Sequence, residues 1–104
     1  MAKNAIQTPY DDAGFPAQAA LTAALTGTAV VKPSAGRLLK VIVTTVLGAG
    51  AVTIYDNASA ASGTVLMVIP STTAAGTIYD INLPAVNGIY ASFASTGGVT
   101  FGYA

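Results

Sequence analysis

From about residue 27 onward, short runs rich in Val, Ile, Thr and Tyr alternate with clusters of Gly, Pro, Asn, Ser and Ala. That is the punctuation of β-strands separated by turns. The spacing predicts strands near 27–32, 37–46, 51–56, 64–69, 77–83, 88–94 and 98–103. Pro33, Pro70 and Pro84 fall in the predicted breaks, where a missing N–H does no harm. Asn87-Gly88 is a turn pair, since both residues tolerate positive φ. Gly48-Ala49-Gly50 reads as a hairpin connection and not as a nucleotide loop. Short strands at intervals of about 10–12 residues predict an all-β fold, an antiparallel β-sandwich of jelly-roll or immunoglobulin-like type with about seven to eight strands.

Alternation with period 2 assigns a core face. Leu39, Val41 and Val43 share one side of the second predicted strand. Val52, Ile54, Val65, Met67, Ile69, Ile78, Ile89, Ala91, Phe93, Val99 and Phe101 continue that face. The other face is not polar: it carries Leu38, Ile42, Tyr55, Leu66, Val68, Tyr79, Ile81 and Tyr90. A strand half-buried in a monomer shows polar residues outside, so some of these second faces are expected to pack on a partner.

Residues 1–24 differ from the rest. They hold Asp11 and Asp12, Pro9 and Pro16, and an Ala-rich run from Ala17 to Leu25 that suits a short helix, an extended arm or an edge strand. We divide the chain into a partner-contacting N-terminal arm, 1–24, and a β-sandwich domain, 25–104. Deleting residues 2–20 is expected to leave the domain folded and weaken assembly.

Composition sharpens the expectation of a partner. Four basic residues (Lys3, Lys32, Arg37, Lys40) balance four acidic ones (Asp11, Asp12, Asp56, Asp80), and only 8% of the 104 residues are charged. A globular domain typically has about 25%, and a net charge near zero favours association. No basic cluster exists to supply the electrostatic attraction on which nucleic-acid binding depends. The longest apolar stretch, Leu38 to Leu47, is broken by Lys40 and two Thr, and a membrane span needs about 20 residues. No secretory leader is read at the start. Neither a nucleic-acid nor a membrane partner is expected.

The candidates for chemistry are few. The chain has no Cys, His or Glu, which removes thiolate and imidazole metal sites and the usual activating base for a Ser or Thr nucleophile. The tetrapeptide Thr-Ile-Tyr-Asp occurs twice, at 53–56 and 77–80. Asp56 and Asp80 could form a glycosidase-like acid/base couple or part of a Ca²⁺ site. No dense Asp/Asn loop supports the second, and no third group supports the first. The favoured reading is strand grammar, with each Asp ending a strand and accepting hydrogen bonds from loop N–H groups. Asn57-Ala58-Ser59 fits a glycosylation sequon, read as coincidence without a leader. No catalytic, cofactor or metal residues are assigned. The five tyrosines, at 10, 55, 79, 90 and 103, suit either strand ends in an interface or a platform for sugar rings.

Four stretches, AVVKPSAGRLLKVIVTT (29–45), GAVTIYDNAS (50–59), INLP (81–84) and NGIY (87–90), resemble small structural proteins of tailed bacteriophages, the head decoration (cement) or head-fibre type. The resemblance covers roughly residues 27–104. It implies a virion protein, made in the bacterial host cytoplasm, that sits on the outer surface of the capsid. Its partners would be the major capsid protein and other copies of itself, as trimers or a lattice array. The N-terminal segment would be the capsid-binding arm, and no residue-level site carries over. The interface residues expected are Tyr10, Asp11, Asp12 and Phe15 in the arm, with Tyr55 and Tyr79 on the sandwich. The alternative function is a carbohydrate-binding or fibre-tip module.

Overall fold

The computed structural model describes residues 20–104. Eight strands follow in order: β1 (Ala20–Leu21), β2 (Ala29–Lys32), β3 (Gly36–Thr45), β4 (Val52–Tyr55), β5 (Val65–Ile69), β6 (Ile78–Ala85), β7 (Ile89–Phe93) and β8 (Gly98–Tyr103). They form two antiparallel four-stranded sheets, ordered β1-β8-β3-β6 and β2-β7-β4-β5. One core holds residues from both: Leu38, Val41, Val43, Ala85, Val99 and Phe101 from the first, Val31, Val52, Ile54, Ile69, Ile89 and Ala91 from the second. The molecule is thus a β-sandwich. Among the described residues no helix is long and apolar enough to cross a membrane.

The pairing is nested. β1 pairs with β8, β2 with β7, β3 with β6 and β4 with β5. A long hairpin folded over on itself gives this pattern, which is jelly-roll order. It settles the choice left open between jelly-roll and immunoglobulin-like arrangements. Only β4 and β5 are neighbours both in sequence and in a sheet. The Gly48-Ala49-Gly50 segment therefore crosses between sheets and is not the hairpin its composition suggested. Gly50 takes φ +97°, and a Cβ there would collide with the Ala94 carbonyl oxygen, so two connections pass each other at a glycine.

Burial follows strand alternation, with slips of phase in β3 and β5. Leu38, Val41 and Val43 are fully buried, while Leu39 is half-buried. The register shifts between Leu38 and Lys40 against both β6 and β8. A bulge adds one residue and carries side chains to the opposite face, which is why Leu38 and not Leu39 enters the core. β6 is also inverted relative to the expectation. Ile78 is 56% exposed, whereas Tyr79 and Ile81 pack against the core. β5 is not inverted, since Met67 and Ile69 pack with the core; Val65 faces out because the register against β4 shifts between Ile54 and Tyr55.

Two boundaries also differ. Pro84 lies inside β6, opposite Arg37, and not in a break. β6 is an edge strand, so the missing N–H costs no ladder bond on its open side. At the other edge, Ala20 and Leu21 already pair with Tyr103 and Gly102. Leu25 makes a further bridge to Val99. Gly102 presents no side chain, and Leu21 covers it: a Cβ there would stand 3.3 Å from Leu21 Cδ2.

Candidate functional site

The two sheets present different outer faces. On the first, Lys40 and Asp80 stand opposite each other across β3 and β6 with Nζ 3.2 Å from Oδ1. Arg37 donates to the Asn82 side chain on the same strand pair. Both carboxylate and ammonium are largely in solvent, where such a pair contributes about 0–1 kcal/mol.

The second sheet is different. Val52, Ile54, Ile89 and Ala91 point into the core, so their neighbours Thr53, Tyr55, Tyr90 and Ser92 point away from it. Register then lines these up. Val30 pairs with Tyr90, Tyr90 with Tyr55, and Tyr55 with Val65. This makes one row of apolar and aromatic side chains across all four strands. Its ends are open, with Val30 42% and Val65 47% exposed, and both tyrosines are half-buried between them. The adjacent row is Ser92, Thr53 and Val68, the last 50% exposed. Among the described residues no charged side chain stands in either row. Aromatic and β-branched cross-strand pairs also hold such a sheet together, at roughly 0.2–1 kcal/mol each.

Of the residues singled out from sequence, Tyr55 belongs to this row. Tyr79 is on the other sheet, opposite Val41 on the core side, so the two tyrosines do not share a surface. Tyr10, Asp11, Asp12 and Phe15 lie outside the described residues. Tyr90 is one of the tyrosines suited by sequence to an interface or a sugar platform; Val30 and Val65 are not, and Val65 is expected on the core face. All three meet Tyr55 only through strand order, although Tyr90 stood among the second-face residues.

Asp56 and Asp80 are not brought together. Asp56 follows β4 directly and is only 9% exposed. Its Oδ1 accepts from the backbone N–H of Asn87 at 2.7 Å and of Gly88 at 3.3 Å, and its Oδ2 from that of Val86 at 3.0 Å. Its own N–H donates to the Thr64 carbonyl at 2.7 Å. One carboxylate thereby clasps the β4–β5 connection to the β6–β7 turn. The Asn87 N–H is the largest influence holding its pKa below the ordinary carboxylate value; burial opposes this, and the Val86 and Gly88 N–H groups add to the lowering. Asp80 sits within β6, six residues before Val86, about 20 Å away along an extended strand. Glycosidase carboxylates stand roughly 5–9.5 Å apart. The expectation of loop-capping therefore holds for Asp56, while Asp80 forms the exposed pair with Lys40. Among the described residues no group of three or more acidic side chains could hold a metal.

At the opposite end of the sandwich the β3–β4, β5–β6 and β7–β8 connections are laced by backbone bonds: Gly48 N–H to Thr96 O, Thr72 N–H to Gly48 O, and Leu47 N–H to Thr73 O, each 3.0 Å. These loops are built mainly of Gly, Ala, Ser and Thr, with Pro70 in the β5–β6 connection, Leu47 buried and Val46 exposed. Thr72 takes φ +61°, a costly conformation for a β-branched residue.

No protein-family model, curated protein or solved structure matches this chain. Its function must be read from its surfaces.

Proposed function

We propose that this chain is a virion structural protein that decorates the outer surface of a tailed-bacteriophage head and stabilises it. The observation that carries the reading is the uncharged outer face of the second sheet, with the row Val30–Tyr90–Tyr55–Val65 spanning it edge to edge. A surface of this kind gains free energy by being covered, at about 25 cal/mol per Å² of apolar area. The described residues offer no couple of carboxylates for hydrolysis. The resemblance of residues 27–104 to phage head proteins names the partner: the major capsid protein, with further copies of this chain arrayed on the lattice.

Size limits what this face does alone. Four strands at about 4.8 Å and five residues at about 3.3 Å cover roughly 300 Å². A specific interface needs about 600–1,000 Å² per partner. The face is therefore the centre of a contact completed by other segments, of which the N-terminal arm is the one the resemblance suggests. Binding to the assembled shell and not to free subunits then stabilises the shell by mass action, and copies on one lattice add through multivalency.

The test is to mix purified protein with heads lacking it. Saturable co-sedimentation, and a higher temperature of head rupture when the protein is bound, are expected. Protein that stays in the supernatant at all ratios would overturn the reading.

A second reading has its own observation. The cross-strand pair Tyr55 and Tyr90, beside the hydroxyls of Thr53 and Ser92, offers ring faces and hydrogen-bond partners without charge, as an uncharged sugar chain would require. Titration with neutral oligosaccharides distinguishes it: saturable binding lost in Tyr55→Ala supports the sugar reading, and no binding removes it.

A further inference from the structure

Asn87-Gly88 has a chemical vulnerability as well as a turn geometry. Asn followed by Gly is prone to succinimide formation, because no Cβ shields the attacking nitrogen. The Gly88 amide nitrogen loses its proton to base and attacks the Asn87 side-chain carbonyl carbon. The new C–N bond forms as ammonia leaves. Water then opens the ring at either carbonyl, leaving an aspartyl or isoaspartyl residue at position 87. One water is consumed, one ammonia is released and one negative charge is gained.

The fold opposes this at the nitrogen. Gly88 donates its N–H to Asp56 Oδ1 at 3.3 Å, so an anion holds the proton the reaction must remove and would repel the anion left behind. The backbone at Gly88 is also closely packed. Gly88 is buried at φ +156°, and the position of a Cβ there is within 2.7–2.9 Å of Lys32 O, Ala58 Cα and Asn57 O. The Asn87 residue itself is exposed and open to water. We propose that Asn87 is a deamidation site held shut by the Asp56 clasp, so that its modification is gated by local opening of this end of the sandwich. The change is one-way. The carboxylate it creates lies beside Asp56, where like charges disfavour closing the clasp again, and an isoaspartyl link lengthens the main chain through the turn.

Peptide mapping by mass spectrometry, with isoaspartate quantified, measures the rate at neutral pH. The folded chain should deamidate at position 87 at least about tenfold more slowly than the same chain in urea, as expected if the site reacts only when opened. Asp56→Asn, studied well below its unfolding midpoint, should move the folded rate toward the denatured one, and Asp80→Asn should leave it unchanged. Equal rates in folded and denatured wild type, or an unchanged rate in folded Asp56→Asn, would overturn the proposal. Should that variant fail to fold, hydrogen exchange at the Gly88 amide in wild type decides. Protection matching the slowing of deamidation supports gating; rapid exchange refutes it.

Discussion

Replacing Asp56 with alanine tests how much one carboxylate contributes to holding this sandwich. The side chain accepts three backbone hydrogen bonds, from Val86, Asn87 and Gly88. The bonds from Val86 and Asn87 are only part-buried, so water can reach those N–H groups once the acceptor is gone, and their share is the net value of a charged hydrogen bond, about 1.5–3 kcal/mol before non-additivity. Gly88 is buried, and an orphaned N–H there costs about 1–3 kcal/mol more. Together the expected loss is about 3–5 kcal/mol, a large part of the roughly 5–15 kcal/mol that a domain of this kind has. At about 4–8 °C per kcal/mol, Tm should fall by roughly 12–40 °C. Asp56→Asn keeps one acceptor but turns an NH₂ toward an N–H donor, so its loss should be smaller, about 1.5–3 kcal/mol. The pH dependence has a definite sign. The folded carboxyl titrates below its ordinary value, chiefly because of the Asn87 N–H. Its contribution is therefore complete above the unfolded pKa of about 4 and is lost as pH falls through the lowered folded value. Urea unfolding followed by circular dichroism from acid to neutral pH should show an acid limb that flattens in Asp56→Asn. A loss below about 1 kcal/mol in Asp56→Ala would refute the assignment of the clasp as a structural tie.

Three further outcomes are expected. Gly50→Ala should destabilise by more than about 2 kcal/mol in thermal melts, since the residue takes φ +97° with its Cβ position against the Ala94 carbonyl. Lys40→Ala should cost less than about 1 kcal/mol, and salt should abolish that difference, because the pair with Asp80 is exposed. Val65→Lys should leave the melt within about 0.5 kcal/mol of wild type while reducing co-sedimentation with heads; unchanged co-sedimentation would place the contact elsewhere.

Strands were legible because turn residues mark their ends, and seven of the predicted segments overlap strands of the structure. β1 is the edge-strand alternative for the Ala17–Leu25 run, but two residues carry no period that could choose it over a helix or an extended arm. Phase was less legible. The bulge at Leu38–Lys40 has no Gly or Pro to announce it, and with Leu on both sides either choice satisfied the pattern. For β6 the signal was present but unused: Asp80, Asn82 and Pro84 occupy one face with Ile78, which marks that face as the outer one. The apolar row and the Asp56 clasp could not be read locally. Tyr55 and Tyr90 stand 35 positions apart in the chain, and the donors to Asp56 are 30–32 positions downstream of it. Their meeting depends on which strand lies beside which, and nested pairing leaves little of that to neighbours in sequence.

The same nesting constrains how the protein is made. Among the described strands β8 is made last, yet it lies between β1 and β3 inside the first sheet. On the ribosome β3 emerges with its apolar inner face and both edges bare; β6 covers one edge roughly thirty residues later, and β8 reaches the other only after roughly fifty. At about 5–20 residues per second that wait is roughly 3–10 s. For this interval the nascent chain presents an open, low-charge edge of the sort that recruits other chains. The first sheet thus closes only once β8 has been made, and crowded expression should favour aggregation of chains that stop short of Gly98.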